Sequence, residues 1–200
     1  YRDYGEAEDA LPVKPRFRRA MEVSAPQFII GAKLDAEKGG NALLRQKLVS
    51  SLALNCLFGQ SSPFYNRLYR DGLLNTDFSS GMDYCAGTLT VMAGGESCEP
   101  ERVFTELCAE LERAAGGLDE ALFSRTLKSS YGSRIRALSS FAGLCSSMAE
   151  AEFGGYNCMD SFAVMESVTA AETLEFIRGQ LRPERFAMSV IDPVGRGEPV

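Results

Sequence analysis

The chain contains no histidine. A Ser-His-Asp or Cys-His nucleophile system therefore has no base to work with. A zinc helix of the H-x-x-E-H kind lacks its ligands. Six cysteines are present, at positions Cys56, Cys85, Cys98, Cys108, Cys145 and Cys158, and none form a C-x-x-C pair. Scattered in this way they make a poor zinc set, and several fall in apolar patterns where Cys acts as a small hydrophobe. Reduced thiols are the expectation, rather than a disulfide framework. Carboxylates pair at Glu99/Glu101, Glu110/Glu112, Asp119/Glu120 and Glu150/Glu152. Each pair falls at a helix start or on a helix face, the ordinary place for surface charge. Gly94-Gly95-Glu96 follows a predicted strand and precedes a predicted helix, a position from which backbone N–H groups can cradle phosphate. No Walker lysine or G-x-G-x-x-G spacing accompanies it, so a plain tight turn is expected.

The remaining stretch with chemical character runs from Leu57 to Leu74: Leu57-Phe58-Gly59-Gln60-Ser61-Ser62-Pro63-Phe64-Tyr65-Asn66-Arg67-Leu68-Tyr69-Arg70-Asp71-Gly72-Leu73-Leu74. It reads as a helix end, a Gly/Ser/Pro break, a short helix and a Gly stop. Gly59 suits a helix C-terminus, and Ser61 or Ser62 can cap the next helix with Pro63 in its first turn. Phe64 and Leu68, followed by Leu73-Leu74, mark the face that packs inward. Tyr65, Arg67, Tyr69 and Arg70 crowd the rest. On physics alone this is a helix–turn–helix corner with solvated arginines.

The elements that must position this corner can be read in order. Residues 1–20 mix an acidic start with a basic end, and Pro12 and Pro15 interrupt any helix, so a linker or arm is expected. Phe28-Ile29-Ile30-Gly31-Ala32 reads as a buried strand within Val23 to Leu34. Leu43, Leu44, Leu48, Leu52, Cys56 and Leu57 recur at helical spacing and lead into the corner. Asp77 to Cys85 and Gly87 to Ala93 read as an antiparallel hairpin turning at Cys85-Ala86-Gly87, with Leu89 and Val91 alternating against Thr88, Thr90 and Met92. Pro100 opens a helix with Val103, Phe104, Leu107, Cys108 and Leu111 inward, stopped by Gly116-Gly117. Asp119 caps the next helix, whose inner face is Leu122, Phe123, Leu127, Tyr131, Ile135 and Leu138. Ser139-Ser140 marks a junction, and a helix through Leu144, Cys145 and Met148 reaches Gly154-Gly155. A short helix lies near Met159 to Met165. Thr169-Ala170-Ala171-Glu172 is a capping box before Leu174, Phe176 and Ile177. Phe186 to Ile191 forms the last strand. With helices gathered between hairpin and final strand and no regular βαβ alternation, the class is α+β, a two-layer sandwich. Residues 21–193 form the domain and 194–200 a frayed tail.

The totals describe an ordinary globular chain: 200 residues, 45% hydrophobic, 24% charged. A formal charge of -6 disfavours nucleic acid and anionic membrane as partners. No apolar run approaches the ~20 residues of a membrane span.

The order of residues from Leu57 to Leu73 resembles a segment of the M16 (pitrilysin/insulinase-like) metallopeptidases. That segment reads small-Ser-x-Leu-Phe-x-x-Leu-Arg-Glu-x-x-Gly-Leu-Ala-Tyr and lies in the family's non-zinc domains. The match runs through Leu57, Gly59, Ser61-Ser62, Phe64, Leu68, Gly72 and Leu73, and the resemblance covers residues 20–193. It implies a mostly antiparallel sheet covered by helices, the M16/LuxS-like metallohydrolase fold. The Leu-Phe-Gly-x-Ser-Ser-Pro-Phe-Tyr and Gly-Gly-Glu-Ser wording is most similar to a bacterial cytoplasmic branch linked to modification of elongation factor P. In many M16 enzymes this segment supplies an Arg and a Tyr that reach the substrate near the zinc. Here Tyr69 stands at the Arg position and Asn75 at the Tyr position. Arg70 is one step on, turned by about 100° around the helix. Tyr69, Arg70 and Asn75 are therefore the substrate-binding candidates. Zinc domains of the family end their H-x-x-E-H helix in a similar Leu/Met-Phe-x-Gly run. Matching Leu57-Phe58 to it puts Ser51, Leu54 and Asn55 near the ligand and base positions, and none of the three replaces imidazole or carboxylate.

The resemblance implies the non-catalytic half of a cytoplasmic zinc endopeptidase, with no cofactor of its own. The zinc would sit in an upstream or partner M16 domain, and a peptide or protein would be the substrate. Two other readings stay open: a scaffold subunit of the same fold, and an unrelated small-molecule-binding α+β domain. An H-x-x-E-H helix elsewhere in the parent favours the first, and a deep apolar pocket with convergent polar groups favours the last. We expect the chain alone to hold no stoichiometric zinc and to cleave no peptide. Elemental analysis followed by a peptide digest checks this. One tightly held zinc per chain, or cleavage abolished by chelator, would refute it.

Overall fold

The computed structural model describes residues 11–85 and 88–194. The expected acidic start of the arm, the centre of the hairpin turn and most of the expected tail lie outside them. The element order is β1 (Arg16–Met21), β2 (Gln27–Asp35), α1 (Gly40–Phe58), α2 (Pro63–Arg70), β3 (Ser79–Cys85), β4 (Thr88–Glu96), α3 (Pro100–Gly116), α4 (Glu120–Ala137), α5 (Phe141–Gly154), α6 (Asp160–Ser167), α7 (Ala170–Gln180), a 3₁₀ turn (Pro183–Arg185) and β5 (Phe186–Pro193). The strands form one sheet in the order β1-β5-β2-β4-β3. The β2–β4, β2–β5 and β3–β4 pairs are antiparallel, and β1–β5 is parallel. The class is the expected α+β, with helices over one face of a mostly antiparallel sheet.

Alternation decides which face is covered. Phe28, Ile30, Ala32 and Leu34 of β2, Leu89, Val91 and Ala93 of β4, and Phe186, Met188 and Val190 of β5 are all buried beneath the helices. Their neighbours on the other face are open, and Ile29 and Met92 are exposed there. The apolar run Phe28-Ile29-Ile30, which reads as a fully buried strand, is thus half-buried. Arg16–Met21, expected as the end of an arm, is an edge strand exposed along its whole length. It shows no alternation because neither of its faces is covered. It is held by its ladder to β5, by the ion pair of Arg16 with Glu101, and by the Arg16 guanidinium 3.6 Å from the Phe104 ring centroid.

Helix α1 is buried nearly all round. Ala53, Leu54, Leu57 and Phe58 join the sheet-side core. Val49, Leu52 and Cys56 pack with Phe123 of α4 and with Val168, while Leu44 and Leu48 pack with Met165 of α6. The Cys56 thiol is pushed above its ordinary pKa by this burial. All six cysteines are unpaired. Lys47 is buried on the same helix; its ammonium bonds the Glu150 carboxylate of α5 and lies 4.9 Å from the Tyr84 ring. Burial depresses the Lys47 pKa, but the hydrogen bond and charge of Glu150 outweigh it and leave a net rise. Lys47 is therefore cationic in the fold, and it ties α5 to α1.

The caps follow the sequence closely. Ser62 accepts from the Tyr65 N–H with Pro63 opening α2, and Asp119 accepts from Ala121 and Leu122. Thr169 accepts from the Glu172 N–H, but the Glu172 carboxylate forks onto Arg45 instead of closing the box. Gly72 (φ 70°) and Gly155 (φ 71°) end α2 and α5 in the left-handed region that favours glycine. Gly59 is needed for another reason. Its φ is -63°, yet an added Cβ would collide with the Asn55 carbonyl oxygen.

The opening corner packs through an aromatic chain. Phe64 meets Phe58 edge-on at 5.2 Å and Phe78 at 6.2 Å, and Tyr65 stacks between Phe78 and Tyr69. Phe64→Ala is expected to cost about 3–5 kcal/mol through the cavity left behind. Arg70→Ala should stay within about 0.5 kcal/mol, as surface changes do. Tyr69→Ala should lose about 0.5–1.5 kcal/mol of ring stacking. Denaturant melts of the three variants check this ranking, and a Phe64 variant as stable as the parent would contradict the packing.

Candidate functional site

Tyr69 and Arg70 are exposed at the end of α2, and Asn75 is half-buried in the loop beyond it. Tyr69 and Asn75 are joined through Tyr65. Tyr69 stacks on Tyr65 with centroids 5.7 Å apart, and the Tyr65 hydroxyl donates to the Asn75 carbonyl at 3.3 Å. Arg70 Nε donates to the Asn66 carbonyl, and its guanidinium makes no ion pair among the described residues. The Asn75 amide donates to Asp77 at 3.3 Å and to Glu96 at 3.5 Å. Tyr69 and Arg70 thus present an aromatic face and a cation to the surroundings. Asn75 is engaged in holding its own loop to the end of β4.

Gly94-Gly95-Glu96, expected as a turn, forms the last part of β4. Gly94 pairs with Ile29 and Gly95 with Phe28. A Cβ on Gly94 would meet the Phe28 carbonyl oxygen at 2.8 Å, and one on Gly95 would meet Phe78 Cα at 2.9 Å. The glycines serve close backbone approach rather than a phosphate cradle.

The zinc-motif positions fall on the last turns of α1. Leu54 is buried in the sheet-side core. Ser51 and Asn55, one turn apart, open into a cavity of about 510 Å³. It lies between α1, the α1–α2 turn, α4, α5 and α6. Its α4 wall carries Thr126, Ser129, Ser130, Ser133 and Arg134, and Leu138, Leu144, Met159 and Phe162 supply its apolar part. Sequence reasoning missed this wall, although Thr126, Ser129, Ser130 and Ser133 recur at i, i+3, i+4 and i+7, the spacing of one helix face. Hydroxyls and the carboxamides of Asn55 and Gln60 are weak ligands for zinc, and Cys158 is the lone thiol in the lining, so the residues here do not fit that ion. Among the described residues, no group of three His, Cys, Asp or Glu is placed to hold a metal. No helix among them is long and apolar enough to cross a membrane.

No protein-family model matches the chain. Among curated proteins it is 25% identical over 174 residues to an uncharacterised zinc protease of Bacillus subtilis (strain 168), YmfH, covering 86% of this chain and 41% of that protein. Among solved structures it superposes on a protein described as an M16-like peptidase from Alicyclobacillus acidocaldarius, with a TM-score of 0.88, 23% identity, and 93% and 45% of the two chains covered. The inactive M16 peptidase domain from Pseudomonas fluorescens matches with a TM-score of 0.72 and 11% identity over 96% of this chain and 47% of that one. The chain therefore spans less than half the length of these relatives. Its fold is that of the M16-like peptidase domains it superposes on, and its sequence is similar to that of a zinc protease.

Proposed function

We propose that this chain is the non-catalytic half of an M16-like zinc endopeptidase, closing the chamber and helping to hold the peptide while hydrolysis proceeds in another domain or subunit. The observation that carries this reading is the cavity over α1. The resemblance sets Ser51, Leu54 and Asn55 of α1 near the ligand and base positions of the zinc domains, and Ser51 and Asn55 line this cavity. The similarity to a domain described as inactive supports the same reading.

The unpartnered apolar surface agrees with a second domain. Phe141 and Phe153 of α5 are 82% and 92% exposed, and Met148, Ile135 and Leu138 are exposed nearby in sequence. Exposed large apolar side chains of this kind are what a partner surface would cover. Zinc belongs to that partner in this proposal, as does the water that attacks the peptide bond. Tyr69 and Arg70 contribute an aromatic face and a cation to the substrate.

The test is peptide turnover by the enzyme reconstituted with a zinc-bearing M16 half. The Tyr69→Ala/Arg70→Ala double variant should lower kcat/KM by about tenfold, the size of one lost interaction of about 1.4 kcal/mol. Its stability should fall by no more than about 0.5–1.5 kcal/mol, the Tyr69 stacking lost, so the variant stays folded in the assay. Unchanged turnover would assign these residues to packing and leave the scaffold reading in place.

A further inference from the structure

We infer that the cavity over α1 is a recognition site for the terminal carboxylate of a peptide with an apolar last residue, Arg134 meeting the carboxylate. This rests on the reading that peptide passes through a chamber bounded by this domain. The residues already discussed, Tyr69, Arg70 and Asn75, do not line the cavity.

Charge makes the first part of the case. Among the described residues lining the cavity, Arg134 alone is charged, and none is acidic. Its guanidinium forms no hydrogen bond or ion pair with any described residue. Burial pulls its pKa below the ordinary value, while the nearby Tyr156 and Glu150 push the other way. Glu150, the carboxylate that acts on it, is bonded to the buried Lys47. Glu150 is thus engaged by Lys47, and the Arg134 guanidinium has no ion-pair partner among the described residues. Arginine stays protonated under such desolvation, so the charge persists. A planar fork of donors held in a partly dry site recognises carboxylate or phosphate in bidentate fashion.

Shape and polarity choose between ligands. A volume of about 510 Å³ exceeds what a bare anion fills and lies within the range of small-ligand sites. Ser130, Ser133, Ser51 and Asn55 line the cavity and bring hydroxyls and a carboxamide that can bond a peptide main chain. Leu138, Leu144, Met159 and Phe162 offer an apolar surface for a side chain. Phosphate would use the arginine and leave this surface idle.

The experiment is calorimetric titration of this chain with three probes: acetyl-Ala-Ala-Leu with a free carboxylate, the same peptide amidated, and inorganic phosphate. The acid should bind, and amidation should weaken it by about tenfold or more, as loss of a charge-assisted pair does. Arg134→Gln should erase the preference for the acid, and Arg134→Lys should keep part of it. Both variants should melt like the parent, because the guanidinium holds no other element in place. The inference is overturned if acid and amide bind alike, if no peptide binds at millimolar concentration, or if Arg134→Gln leaves the preference intact. Phosphate binding as tightly as the acid peptide would also overturn it, by reducing the cavity to a bare anion site. The titration needs no zinc-bearing half. Failure here therefore leaves the turnover test of the proposed function standing, and the converse also holds.

Discussion

The structure depends on the burial of α1 from both sides. Its lower face lies on the sheet through Ala53, Leu54 and Leu57, and its upper face lies under α4 and Val168 through Val49, Leu52 and Cys56 and under α6 through Leu44 and Leu48. A helix clamped in this way cannot shift by a fraction of a turn without opening voids on one side, and interiors packed near crystal density penalise such voids. Ser51 and Asn55 are therefore fixed in direction, and so is the corner that follows. Gly59 lets the chain leave the helix against the Asn55 carbonyl, Ser62 caps the next helix, and Phe64 seats α2 between Phe58 and Phe78. The cavity, the α2 surface and the open sheet face are consequences of that one clamp.

The parts of this arrangement that were legible in the sequence are those set by local chemistry. Ser62-Pro63, Asp119 and Thr169 announce helix starts, because each satisfies orphan N–H groups in a way few other residues do. The Leu89/Val91 alternation announces a strand covered on one face. The parts that were not legible depend on what lies across from a residue. Ile135 and Leu138 keep helical spacing with Leu122 and Phe123, yet only the latter pair is buried. Periodicity identifies an apolar face but not whether this chain supplies its partner. Arg16–Met21 carries no alternation because both faces are exposed, so it reads as an arm until its ladder to β5 is seen. Gly94-Gly95 resembles a turn, while the backbone of β2 and the Cα of Phe78 are what require it.

The candidate site was legible by halves. Resemblance picks out Tyr69, Arg70 and Asn75, and the structure links Tyr69 to Asn75 through Tyr65 and leaves Tyr69 and Arg70 exposed. Asn75 spends its amide on Asp77 and Glu96. The cavity required α1, α4, α5 and α6 to be assembled, since Ser51 and Arg134 lie 83 positions apart. Ser51, Leu54 and Asn55, the positions that the resemblance sets against the zinc motif, offer neither imidazole nor carboxylate.

The central claim is that this chain contributes to proteolysis only together with a zinc-bearing partner. The direct measurement is the rate of peptide hydrolysis by an H-x-x-E-H-bearing M16 half with and without this chain at saturating concentration. The account predicts no turnover by this chain alone, slow turnover by the zinc half alone, and a rate in the mixture that rises with this chain to saturation and is abolished by chelator. A mixture no faster than the zinc half alone would contradict it.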